Sequence, residues 1–139
     1  MKKLSSYFLF ILLFLTLVLS VSCSSDDNGP ELQQVESDKT IDPELVGTWN
    51  GTVSGTPGTA NAVFTLQNDG AISAETDSKI LCPFNGSWWV TNGSFQAGGE
   101  DECDGTGISL LATGTSKIKI TGNWTASSGN SGTFSMTKN

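Results

Sequence analysis

The side chains of this 139-residue chain that could do chemistry are three cysteines, a knot of carboxylates and four tryptophans. Glu100, Asp101, Glu102 and Asp104 crowd around Cys103 in a Gly-rich stretch. Oxygen ligands of this kind suit a hard cation such as calcium, but their spacing fits no EF-hand loop, and a solvated acidic loop is the plainer reading. They could also serve as a glycosidase pair, yet nothing sets two of them at a working separation. Histidine and arginine are absent, and the single tyrosine is Tyr7. With them go the Ser-His and Cys-His nucleophile pairs, the imidazole metal site and the bidentate clamp for phosphate or carboxylate. No catalytic constellation, metal site or cofactor is therefore expected, and the chain reads as a non-enzyme.

Cys82 and Cys103 fall between stretches of strand pattern. In an oxidising compartment they are expected to form a disulfide, which would contribute about 3 kcal/mol through the unfolded state. A reactive or metal-binding pair is the other reading, but no His or third Cys completes such a site once Cys23 is assigned below.

The aromatic residues divide by parity. Trp49, Phe64, Trp88, Phe95, Trp124 and Phe134 share the face that period-two alternation turns inward, where they either line a ligand cup or fill the interior themselves. Inward Gly and Ala (Gly47, Gly51, Ala60, Ala62, Ala74, Ala97, Ala112, Gly122) leave room for a cup. Trp89 has the opposite parity. Unless a bulge or loop covers it, it stands outside as a platform for a glycan or a protein. The abundant Ser and Thr, and the Asn-x-Ser/Thr triplets beginning at Asn50, Asn85, Asn92 and Asn123, read as turn and strand chemistry.

These residues must be positioned by about eight short strands in residues 43–139, an all-β domain with no helical period. The strand from Leu45 to Val53 alternates, as does the one from Ala60 to Leu66, and Asn68-Asp69-Gly70 makes a tight turn into Ala71 to Glu75. Trp88 and Val90 lead to a second turn at Asn92-Gly93, followed by Phe95 and Ala97, then Ile108, Leu110 and Ala112. The clearest pattern is Lys117 to Thr125, with Ile118, Ile120, Gly122 and Trp124 expected to face inward, and a last strand carries Phe134 and Met136. A small antiparallel up-and-down barrel closes so many hairpins and hides their edges.

Ahead of the domain, Met1 to Lys3 form a short basic region, and Leu4 to Val21 are almost wholly apolar up to Ser22-Cys23. This is the layout of an export signal, residues 1–22. The apolar run is nearly long enough to span a membrane, so an uncleaved anchor is the competing reading. A Cys directly after a small residue favours cleavage. Residues 23–42 are Ser, Asp, Asn, Gln and Glu with few apolar side chains, and read as a flexible acidic tether. Five lysines against fourteen carboxylates put the part beyond Ser22 at −9, which argues against nucleic acid as a partner.

Two resemblances bear on function. Leu19-Ser20-Val21-Ser22-Cys23 resembles the lipobox of bacterial lipoproteins, with Ser20 where Leu is usual, as in the relaxed boxes of Bacteroidetes; Ser24-Ser25-Asp26-Asp27 resembles their surface-export signal. This implies a lipid on Cys23, a membrane partner through that anchor, and an outer-membrane, cell-surface location. Leu45-Val46-Gly47-Thr48-Trp49 resembles the Gly-x-Trp element of lipocalin-like barrels, and Gly132-Thr133-Phe134-Ser135-Met136 resembles their final strand. That resemblance implies a barrel whose cup takes a small apolar or amphipathic molecule. Lipocalins proper also stack an Arg on the Trp, and this chain has none. The competing expectation is a solid barrel whose outer face or loops hold a glycan or a protein, as an inhibitor of a secreted hydrolase would.

Overall fold

A computed structural model describes residues 38–139; the export signal, Cys23 and most of the tether lie outside the described residues. Eight strands follow one another: β1 Gly47–Gly55, β2 Gly58–Leu66, β3 Ala71–Thr76, β4 Phe84–Thr91, β5 Ser94–Asp101, β6 Gly107–Thr115, β7 Lys119–Ala126 and β8 Ser131–Lys138. Each pairs antiparallel with the next, and β8 returns to β1 over Trp49↔Lys138 to Gly55↔Gly132, so the sheet closes into an up-and-down barrel. Closure leaves no free sheet edge along its circumference.

The turns follow the local chemistry. Asn92 and Gly93 both have positive φ, 51° and 76°, as a two-residue type I′ hairpin needs. Asp69 accepts the backbone N–H of Ala71, and Gly70 (φ 85°) completes the preceding turn. Pairing between β4 and β5 is unbroken from Phe84↔Asp101 to Thr91↔Ser94, so alternation holds through both tryptophans.

The interior is filled from wall to wall. Trp49, Phe64 and Phe95 have no exposed surface, and Trp88, Trp124 and Phe134 are equally enclosed. Phe134 packs on Phe64 (centroids 6.3 Å apart) and on Phe95 (6.5 Å), and Phe95 packs on Trp88 (6.1 Å). Gly122 and Gly132, which could have left a lumen, lie against these rings. A methyl on Gly122 would sit 2.7 Å from the Phe134 ring, and one on Gly132 would sit 2.6 Å from Trp124 Nε1. Small residues thus sit beside large ones on the neighbouring strand, Gly122 paired with Phe134 and Gly132 with Trp124, which is how a narrow barrel reaches interior packing density.

Each end is plugged by its own chain. Leu45 closes the end where the N-terminal segment enters, and its carbonyl accepts the Trp49 indole N–H at 2.9 Å. Lys138 closes the same floor: its Nζ lies 5.8 Å from the centre of the Trp49 ring and donates to the Glu44 carbonyl at 2.6 Å. At the far end Leu81 is buried, in a loop tied down by the disulfide Cys82–Cys103, Cα atoms 6.1 Å apart.

One sequence expectation needs correction. Alternation predicts Ile118 inside, but it is 70% exposed, and β7 starts at Lys119 rather than Lys117. A bulge between Ala112 and Gly114 shifts the β6–β7 register, and Ser116 closes the turn through its hydroxyl, which accepts from the Lys119 N–H; Ile118 falls in that turn, with only its carbonyl engaged, by the Lys138 N–H. Among the described residues, pairing with the barrel also reaches Thr40, ahead of Pro43. Thr40 and Val90 exchange backbone hydrogen bonds of 3.0 and 2.7 Å, because β4 outruns β3 beyond Ser87 and leaves a short stretch of edge for Thr40 to fill.

Candidate functional site

Three of the four tryptophans satisfy their indole N–H on a backbone carbonyl: Trp49 on Leu45, Trp88 on Gln67 (2.9 Å) and Trp124 on Ser54 (3.0 Å). These are structural side chains, fixed by packing and by one hydrogen bond each. Trp89 differs in every respect. Alternation on the regular β4 strand turns it outward, it is half-buried, and its Nε1 is enclosed without a hydrogen-bond partner among the described residues. Two residues further along the same face, Thr91 is 9% exposed and its hydroxyl also lacks a partner among them. Buried polar atoms nearly always have partners, so two unpaired ones on one strand face mark a place where a partner is missing.

What partly covers Trp89 is the chain's own N-terminal segment. Lys39 Nζ lies 4.2 Å from the centre of the indole ring, within cation–π range. The ammonium has donors only, so it cannot accept the indole N–H.

The registers extend Trp89 into an outward row around the barrel. Trp89 pairs with Gln96 on β5, Gln96 with Leu111 on β6, Leu111 with Asn123 on β7, and Asn123 with Thr133 on β8. With strands about 4.8 Å apart, Trp89 to Asn123 covers roughly 14 Å. Leu111 is 52% exposed, and the row contains no charged side chain. Parity alone singles out Trp89 in the sequence, whereas Gln96, Leu111 and Asn123 carry no motif and become neighbours only through the registers.

The far end of the barrel holds a cavity of about 130 Å³ beneath the disulfide, with Trp124 and Ile108 against Lys79, Asp101, Asp104 and Thr106. Its carboxylates are engaged in shaping the hairpin. Asp101 Oδ1 accepts the N–H groups of Cys103, Asp104 and Gly105, and Asp104 accepts both the N–H and the hydroxyl of Thr106. The Thr106 hydroxyl, followed by its N–H, holds the Asp104 carboxyl below its ordinary range. Glu102 takes a hydrogen bond from Asn85 across the hairpin. Among the described residues no three ligating side chains gather where a metal could sit. The six rings named from sequence as cup-lining residues (Trp49, Phe64, Trp88, Phe95, Trp124, Phe134) meet in the interior as a contiguous packed core.

No family model and no curated protein sequence matches the chain. Among solved structures it is similar to a protein described as the de novo design of a fluorescence-activating beta barrel, with a TM-score of 0.54 and 13% identity, covering 69% of this chain and 94% of that one. The likeness concerns the fold alone.

Proposed function

We propose that the chain is a non-enzymatic, lipid-tethered envelope module whose solid barrel binds a neutral glycan on its outer face, centred on Trp89. The observation that carries this reading is the filled interior: six rings occupy the volume a cup would need, and recognition then falls to the outside. On that outside, Trp89 offers a flat apolar face for a pyranose ring, while Gln96 and Asn123 offer amides able to donate to and accept from hydroxyls. The exposed large apolar residues, Val63, Leu111 and Ile118, lie on different strands or turns and form no patch of the kind a protein partner buries. An uncharged row favours a neutral sugar over an acidic one. The tether and the outer-membrane, cell-surface location rest on the apolar segment ending at Ser22-Cys23 and the acidic stretch after it; the Cys82–Cys103 pair accords with an oxidising compartment.

The test is a titration of the mature chain with neutral hexasaccharides of β-1,4-glucan, α-1,4-glucan and β-1,4-mannan, followed by tryptophan fluorescence and calorimetry. Binding of at least one is expected, with Trp89→Ala weakening it about 30-fold, the roughly 2 kcal/mol of a stacked anchor residue. Binding untouched by Trp89→Ala would place the site elsewhere. If none of the hexasaccharides bound, the glycan reading would fail and a protein partner would become the reading to pursue.

A further inference from the structure

The unpaired Trp89 and Thr91 atoms lie beside the segment that Thr40 anchors, and this juxtaposition extends the reading above. We infer that residues 38–41 are a displaceable strap, an intramolecular occupant of the Trp89 site that a glycan must push aside to bind. The inference rests on the proposed glycan reading for its ligand, but the strap's docking can be measured without one.

The strap is held lightly. A single antiparallel bridge joins it to β4, through the Thr40 and Val90 backbone hydrogen bonds, and the Thr40 hydroxyl adds a long contact of 3.4 Å to the Val90 carbonyl. Lys39 contributes its ammonium over the indole, and Ile41 leans on Gly70, where a methyl would come 3.0 Å from its Cδ1. Asp38, Lys39 and Thr40 are themselves exposed. Ile41 alone of the four packs against the core, and the few backbone bonds that hold Asp38 to Thr40 are the mark of a segment that opens locally while the rest of the fold stays intact.

The strap is also a poor occupant. It covers the site but leaves the indole N–H and the Thr91 hydroxyl without partners, and such groups disfavour the covered state. Antiparallel pairing at Thr40↔Val90 sets Lys39 opposite Thr91, and a lysine side chain has no acceptor for the indole donor. A sugar hydroxyl can accept from Trp89 Nε1–H, and another can donate to or accept from Thr91. A glycan therefore completes what the strap leaves open, which gives it the differential affinity needed to shift the equilibrium. Because residues 38–41 run directly into the tether, the binding site and the route to the membrane share the same few residues.

The test uses the mature chain, Thr40→Pro and Lys39→Ala. Proline removes the N–H that donates to Val90 and disfavours the docked backbone. Hydrogen exchange at the Val90 amide reports docking, with the Ile120 amide in β7 as an internal control. We expect Thr40→Pro to speed Val90 exchange at least tenfold with Ile120 unchanged, and to tighten binding of whichever of the three hexasaccharides the wild type binds by threefold or more. Lys39→Ala should do the same to a smaller degree, and saturating hexasaccharide should release Val90 in the wild type. A hexasaccharide that binds through Trp89 while Val90 stays protected would overturn the strap and leave the glycan reading standing. Absence of any hexasaccharide binding by the wild type would sink the glycan reading itself, and Val90 exchange in Thr40→Pro would then test the strap's docking alone.

Discussion

Phe134→Ala is the sharpest test of the solid barrel. Phe134 is 2% exposed, packs on Phe64 and Phe95, and rests against Gly122. Its strand is hydrogen-bonded on both sides, pairing Phe134 with Val53 on β1 and with Gly122 on β7. The walls can therefore collapse little into the space left behind. Loss of a buried Phe costs about 3–5 kcal/mol, and a site that cannot relax belongs in the upper half of that range. For a domain of this size, with a total stability of about 5–15 kcal/mol, the variant should fold but be visibly weakened. With a urea m-value of about 2 kcal/mol/M, the midpoint should fall by roughly 2 M at unchanged slope, measured by equilibrium denaturation with far-ultraviolet circular dichroism. The vacated space should also take up benzene, as dry apolar cavities do, which the wild type should not. A loss below about 1.5 kcal/mol, or benzene binding equally to both proteins, would mean that the ring lines an open cup and that the argument for an outer site is unsound.

Further predictions follow from other parts of the fold. Replacing Cys82 and Cys103 together by Ala should cost about 3 kcal/mol, from the loop-entropy relation applied to their separation of 21 residues, and lower the melting temperature by on the order of 15 °C in a calorimetric scan. Gly122→Ala should destabilise by about 2 kcal/mol or more in urea, because its methyl would meet the Leu111 carbonyl oxygen at 2.2 Å as well as the Phe134 ring. Asp104 has a folded pKa lowered from 3.8 by its hydrogen bonds from Thr106. Its contribution is thus complete above the unfolded value and disappears as pH falls through the folded one, so an NMR titration should place the Asp104 midpoint below that of an unfolded reference and show the Thr106 amide unperturbed above about pH 5. Lys138→Ala should loosen the Trp49 floor, raising the exchange rate of nearby amides more than it lowers global stability.

The strand order was legible because it is written in local, period-two patterns. The residues of β1, β2, β5 and β8 alternate cleanly, and Asn92-Gly93 and Asp69-Gly70 have the backbone tolerance that tight turns require. The cysteine pair was legible by elimination, since two thiols remained for the domain. Ile118 shows where such reading stops: alternation continues through it in sequence, and only the β6 bulge, a relation between two strands, removes it from the ladder.

What the sequence by itself determined was which side chains within the strands face in and which face out, and that so many strands must hide their edges in a barrel or a closely related sandwich; parity along a strand is an intrinsic property of the extended chain. Tertiary structure alone decided whether the inward rings enclose a lumen, because volume depends on how rings from different strands meet inside the barrel, such as Phe134 with Phe64 and Phe95. It also decided the state of Trp89. The sequence marked it as outward, but its cover comes from Lys39, fifty residues earlier, held there by the Thr40–Val90 bridge, and its unpaired indole N–H is evident only when every described neighbour has been placed. Long-range contacts of that kind leave no periodic trace in the chain, because nothing in the spacing of residues 38–41 anticipates the short edge that β3 leaves on β4.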